Sequence, residues 1–172
     1  MKRSSLFALS VTFVWLLVGH TIWAQKYDDK EHAELAKALK GVKISLEKGL
    51  SASESQGKPI SGKFEVEDGK LQLSVYTMKG DKFSEIIVDH KTRKIAKTAV
   101  ITGGEDLAAA KTQSGAMAKA KLSLRGATEK AVKRNKGFRA VSVTPSLKDG
   151  HPVAEITLVK GQEFKSASEK LD

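Results

Sequence analysis

Gly62-Lys63-Phe64-Glu65-Val66-Glu67-Asp68-Gly69-Lys70-Leu71-Gln72-Leu73-Ser74-Val75 is the stretch on which the reading of this chain turns. Phe64 and Val66 alternate with charged residues, and Leu71, Leu73 and Val75 alternate with Gln72 and Ser74. A period of two sends successive side chains to opposite faces of a strand. Asp68-Gly69 between the two runs predicts a hairpin, because a tight turn needs positive φ and glycine tolerates it. Upstream, Ile60 extends the first strand. Downstream, Lys79-Gly80-Asp81 turns the second strand into a third over residues 83–88.

The same order recurs later. Lys43-Ile44-Ser45-Leu46 returns as Lys121-Leu122-Ser123-Leu124, an offset of 78. Asp68-Gly69 returns as Asp149-Gly150, and Lys79-Gly80-Asp81-Lys82-Phe83 as Lys160-Gly161-Gln162-Glu163-Phe164, both at an offset of 81. The drift of three residues predicts a small insertion, most simply near Pro145 and Lys148. Each copy then reads as a helix and three strands. Ser45 and Ser123 are the expected N-caps. Leu124, Ala127, Ala131 and Val132 share one helical face in the second copy. The first-copy helix is poorer in propensity, since Gly49 and the serines of residues 51–55 follow Leu46.

Two further helices are expected, over residues 28–40 and over the alanine-rich residues 105–121, which join the copies. The expected fold is α+β: two tandem repeats, each a helix packed on one side of a small antiparallel sheet of about three or four strands, joined by a helix. The boundaries are a leader at residues 1–24, an N-terminal helix at 25–42, the first repeat at 43–101, the connecting helix at 102–120 and the second repeat at 121–172.

The leader carries Lys2 and Arg3, a run of 13 mostly apolar residues (6–18), and Ala24 before the expected cut. That order is a secretory signal peptide, and a periplasmic or secreted location follows. An uncleaved anchor is the alternative, and membrane contact is then expected only through this segment. Removing 24 of the 172 residues leaves 148 and lowers the formal charge from +10 to +8. The chain has no cysteine, which excludes disulfides, thiolate metal sites and thiol nucleophiles.

With those residues in place, the sequence resembles the PepSY domain family. The resemblance rests on Ile44-Ser45-Leu46 with Gly49-Leu50, on the Gly62 to Val75 stretch quoted above, and on Ile86-Ile87-Val88-Asp89-His90-Lys91-Thr92-Arg93-Lys94-Ile95. Val88, Asp89 and Thr92 stand where the family has Val, Asp and Thr, and Arg93 stands where it usually has glycine. The second copy departs further, since Ser168-Glu169-Lys170-Leu171-Asp172 lacks that ending. The resemblance covers about residues 43–172. It implies an exported, non-catalytic binding module whose partner is a protein, with an envelope peptidase to inhibit or regulate.

No catalytic residue, cofactor or metal is expected. There is no Gly-x-Ser-x-Gly elbow and no phosphate loop. Asp89 and His90 are strand neighbours that point apart, and His151 follows a turn. Asp28, Asp29, Glu31 and His32 read as an acidic first helical turn, without the glycine and spacing of an EF-hand. The one charged cluster singled out is Lys130, Lys133, Arg134, Lys136 and Arg139, a candidate anion- or partner-binding face for acidic polymers or lipids. A solvated helix end that complements the macrodipole accounts for the same residues and is preferred. Nucleic acid is not expected, given export and only 6% aromatic residues.

Overall fold

The computed structural model describes residues 29–172; the expected leader, its expected cleavage site and residue 28 of the expected N-terminal helix lie outside them. The order of elements is α1 (Asp29–Ala38), a 3-10 turn (Leu39–Gly41), α2 (Leu46–Ser53), β1 (Lys58–Glu67), β2 (Lys70–Lys79), β3 (Lys82–Val88), β4 (Ile95–Ile101), α3 (Gly104–Ala118), α4 (Leu124–Arg134), β5 (Arg139–Lys148), β6 (His151–Lys160) and β7 (Glu163–Lys170).

The hairpins form where the local chemistry places them. Asp68 and Gly69 both have positive φ, 49° and 71°, and so do Asp149 and Gly150, 52° and 80°. Positive φ at both central residues is the primed turn that matches strand twist. Ser45 and Ser123 cap α2 and α4 by accepting from the backbone N–H of Lys48 and Gly126, at 3.4 and 3.1 Å.

The expected pair of separate small sheets is overturned. All seven strands form one antiparallel sheet in the order β4-β3-β2-β1-β5-β6-β7. The first strands of the two copies, β1 and β5, pair with each other through Gly62↔Val143 and Lys63↔Ser142. Gly62 and Val143 are themselves equivalent at the offset of 81, so a pseudo-twofold axis passes through this pair. Two bare strand edges are removed by fusing them, and one core then serves both copies.

The symmetry extends to the irregularities. β1 is bulged between Pro59 and Ser61, and β5 at the equivalent place between Ala140 and Ser142. The three-residue drift does not fall near Pro145 and Lys148, because β5 and β6 keep the offset of 81 throughout. It is absorbed in the helix, where α4 has 11 residues and α2 has 8. A fourth strand, β4, follows β3 in the first copy alone among the described residues.

Helices cover both faces of the sheet, not one. The backbone at Gly62 packs under Leu46 and Leu50 of α2, while its neighbour Ser61 donates to Gln113 Oε1 of α3 at 2.8 Å. Adjacent strand residues point to opposite faces, so α2 and α3 lie on opposite sides. On β7, Glu169 bonds Arg134 of α4, and Phe164, an odd number of residues away, stacks on His32 of α1 at 4.0 Å. The layers are therefore α2 and α4, which pack together, the sheet, and α1 with α3. At the helical offset of 78, residues 29–41 fall on 107–119, so α3 is the counterpart of α1 as well as the link between copies.

The copies interlock across the joint. Lys58 of β1 donates to the Met117 carbonyl of α3 at 3.1 Å, and its counterpart Arg139 donates to the Ile44 carbonyl at 2.8 Å. Phe64, Leu46, Leu50, Leu73 and Val75 from one copy and Leu124, Val143, Ile156 and Leu158 from the other belong to one buried cluster.

Candidate functional site

The five basic residues singled out in the sequence divide into two groups. Lys130, Lys133 and Lys136 are exposed, and among the described residues they make no hydrogen bond or ion pair. Arg134 and Arg139 are committed to the fold. The Arg134 guanidinium contacts both oxygens of Glu169, at 2.7 and 2.8 Å, and the Glu169 side chain is 8% exposed. Arg139 lies over the Phe64 ring, 5.5 Å from its centroid. Burial lowers its affinity for the proton, with Glu47 opposing that shift.

Arg134→Ala should therefore act on stability. It leaves a buried carboxylate without its charged donor, a loss of about 1–3 kcal/mol. Lys133→Ala, one residue away and exposed, should change stability by less than about 0.5 kcal/mol. Thermal unfolding of the two variants checks the contrast.

The structure adds two lysines that the sequence reading missed. Phe138, in the loop before β5, has Lys165 Nζ 4.0 Å from its ring centroid and Lys160 Nζ at 5.9 Å. Both come from the β6–β7 hairpin. A lysine over an aromatic face is held by the ring quadrupole. Alternation along β7 places Lys165 on the α4 side, and the Lys160 side chain lies against Gly137, just past the C-terminal end of α4.

On the face that bears α1 and α3, a polar row crosses β1, β2 and β3. Lys63 and Glu65 are paired at 2.6 Å, and the Ser74 hydroxyl donates to Glu65 at 2.9 Å. Burial pushes the Glu85 carboxyl upward; the neighbouring Ser74 hydroxyl opposes this and the Glu65 charge adds to it. Tyr76 is held neutral by burial, then by the charges of Glu85, Glu65 and Asp106. For Glu85 the folded state binds the proton more tightly than the unfolded chain does. Its contribution is present below the ordinary carboxylate range and lost as pH rises through the folded value. Glu85→Gln should thus raise the melting temperature at neutral pH, with the gain shrinking as the solution is acidified. A pH series of melting curves tests this.

The histidines do not converge. His32 stacks on Phe164, His90 sits in the turn after β3, and His151 Nδ1 is 2.8 Å from Asp172. That hydrogen bond is the main cause of a lowered Asp172 carboxyl. Among the described residues no three His, Asp or Glu side chains are placed to share a metal ion. A cavity of about 30 Å³ between Glu54, Lys58, Met117 and Leu124 has room only for water.

The turn that carries the family resemblance is closed. Asp89 Oδ1 accepts from the backbone N–H of Lys91 and Thr92, at 2.7 and 2.8 Å, and these bonds hold its carboxyl below the ordinary range. Arg93 adopts φ +65°, a conformation that suits the glycine usual in the family.

The two sheet edges differ. β7 carries Glu163, Lys165, Glu169 and Lys170 in eight residues, and charge on an edge discourages strand addition. β4 carries one charge, Lys97, in seven residues. Among the described residues no helix packs along it, and Ala96, Lys97, Thr98 and Val100 are exposed, Val100 by 63%. The chain matches no protein-family model, no curated protein and no solved structure.

Proposed function

We propose that this chain is an exported, non-catalytic binding module of the PepSY type that holds a protein partner, an envelope peptidase, by adding a strand of that partner to β4. The bare β4 edge carries this reading. Among the described residues its outer backbone groups face no strand and no helix packs along it, and apart from Lys97 its exposed side chains are small or β-branched. An extended segment laid against such an edge gains main-chain hydrogen bonds, and side chains at alternate positions supply selectivity. The closed turn at Asp89, with Thr92 and the left-handed Arg93, supports the PepSY resemblance at the residues that first suggested it. A peptidase inhibitor needs a surface and not a reactive constellation, which suits histidines that lie apart.

The test is capture from periplasmic extract by the mature chain, followed by activity assays on the retained peptidases. Retention of an envelope peptidase by the wild type, and its loss with Thr98→Pro or Val100→Glu, is the expected result. Equal retention by the edge variants overturns the β4 contact, and no retained protein at moderate salt overturns the binding role.

A further inference from the structure

We infer that the C-terminal end of α4 and the β6–β7 hairpin together form a second surface, one that binds phosphate-bearing anions, as displayed by acidic phospholipid headgroups. This inference is independent of the β4 reading, because β4 is at the far edge of the sheet from β7.

The observation behind it is convergence. Lys133 and Lys136 lie at the end of α4, and Lys160 and Lys165 arrive from a hairpin more than twenty residues downstream. Phe138, two residues after Lys136, holds the hairpin lysines by their contact with its ring. Two nearby carboxylates are already paired, Glu169 with Arg134 and Glu129, one turn before Lys133, with Arg125. Glu163 in the hairpin is the acidic residue at this end of β7. A helix end alone is satisfied by one or two cations at its terminal carbonyls. That requirement does not explain lysines on a separate hairpin held in place by an aromatic ring.

The cavity beside Glu54 and Leu124 lies away from the cluster, and Lys133, Lys136 and Lys160 stand exposed, which favours a ligand that is itself an extended surface. Lysine is a hydrated point charge suited to headgroup phosphates met one by one, whereas bidentate recognition calls for arginine. Both nearby arginines are occupied within the fold. Each basic residue near an acidic leaflet adds to attachment, and the attraction falls off within a Debye length.

The test is co-sedimentation of the mature chain, residues 25–172, with phosphatidylcholine vesicles with and without phosphatidylglycerol, across a salt series. A parallel arm measures binding to soluble polyphosphate. The expected result is binding that requires the acidic lipid and weakens steeply with salt. Lys136→Gln with Lys160→Gln should weaken it about thirtyfold, and Lys→Arg at the same two positions should restore it. Lys70→Gln with Lys94→Gln, on the other copy, should leave it nearly unchanged. Circular dichroism confirms that these exposed substitutions keep the fold. Binding to polyphosphate and not to vesicles, lost in the same variants, supports the site and assigns its phosphates to a soluble polymer. Failure to bind either at low salt overturns the inference. An equal loss in the Lys70/Lys94 variant also overturns it, because binding would then follow net charge and not this cluster.

Discussion

Phe64→Ala should destabilise the protein by about 3–5 kcal/mol, the cost of emptying a closed aromatic site. The ring is fully buried, directly opposite Leu73 on β2, and under the Arg139 guanidinium of the other copy. Its removal strips apolar contacts from one copy and loosens the seat of a half-buried charge from the other. For a chain of this length the melting temperature should fall by about 10 °C or more. Phe64→Leu keeps most of the volume and should cost under about 1.5 kcal/mol. A loss below about 1 kcal/mol for the alanine variant would mean that the ring is not part of a core shared by both copies.

The copies should not fold when separated. Expressed alone, residues 25–102 and 103–172 should each give the circular dichroism of a largely unfolded chain. Each fragment would expose a bare edge at β1 or β5 and would lose bonds that cross the joint. Ser61 would lose Gln113, Lys58 the Met117 carbonyl, and Arg139 the Ile44 carbonyl. Units of this size stand near the lower limit for independent stability even when their cores are complete. A folded fragment with a cooperative melt would show that the joint is an accessory contact between two self-sufficient domains.

What could be read from the sequence was local. The Asp-Gly turns, the serine caps and the alternation of Phe64 and Val66 concern residues within a few positions of each other, where backbone chemistry decides. The joint could not be read, because Gly62 and Val143 lie 81 residues apart and nothing near either names its partner. Bulges at the two equivalent positions are similarly silent. The extra residues of the second copy were misplaced because a helix lengthened at its C-terminus leaves both flanking motifs intact. β4 had a signal, the β-branched and apolar run from Ile95 to Ile101, but without a counterpart in the second copy the repeat did not draw attention to it.

The basic cluster shows the same division. Sequence places charges along α4 but does not show which are already taken. Arg134 and Arg139 carry the same formal charge as Lys133, yet a buried carboxylate holds one, and a carbonyl with an aromatic ring holds the other. Lys160 and Lys165 were missed because the hairpin brings them back to Phe138 only after the sheet has formed. The one available signal was the pairing of a lysine-flanked turn with a half-buried phenylalanine elsewhere in the chain, and that pattern is common.

The claim on which the account rests is that both copies share one sheet and one core. Residues 25–172 contain no tryptophan, since Trp15 and Trp23 both precede residue 25. Phe83→Trp and Phe164→Trp therefore place a single reporter at equivalent positions in β3 and β7. Urea unfolding of each variant, followed by fluorescence and by far-ultraviolet circular dichroism, measures the cooperativity directly. The two signals should coincide within each variant, as one all-or-none transition. Fluorescence that changes at a different urea concentration from the circular dichroism, marking one copy melting before the other, would contradict it.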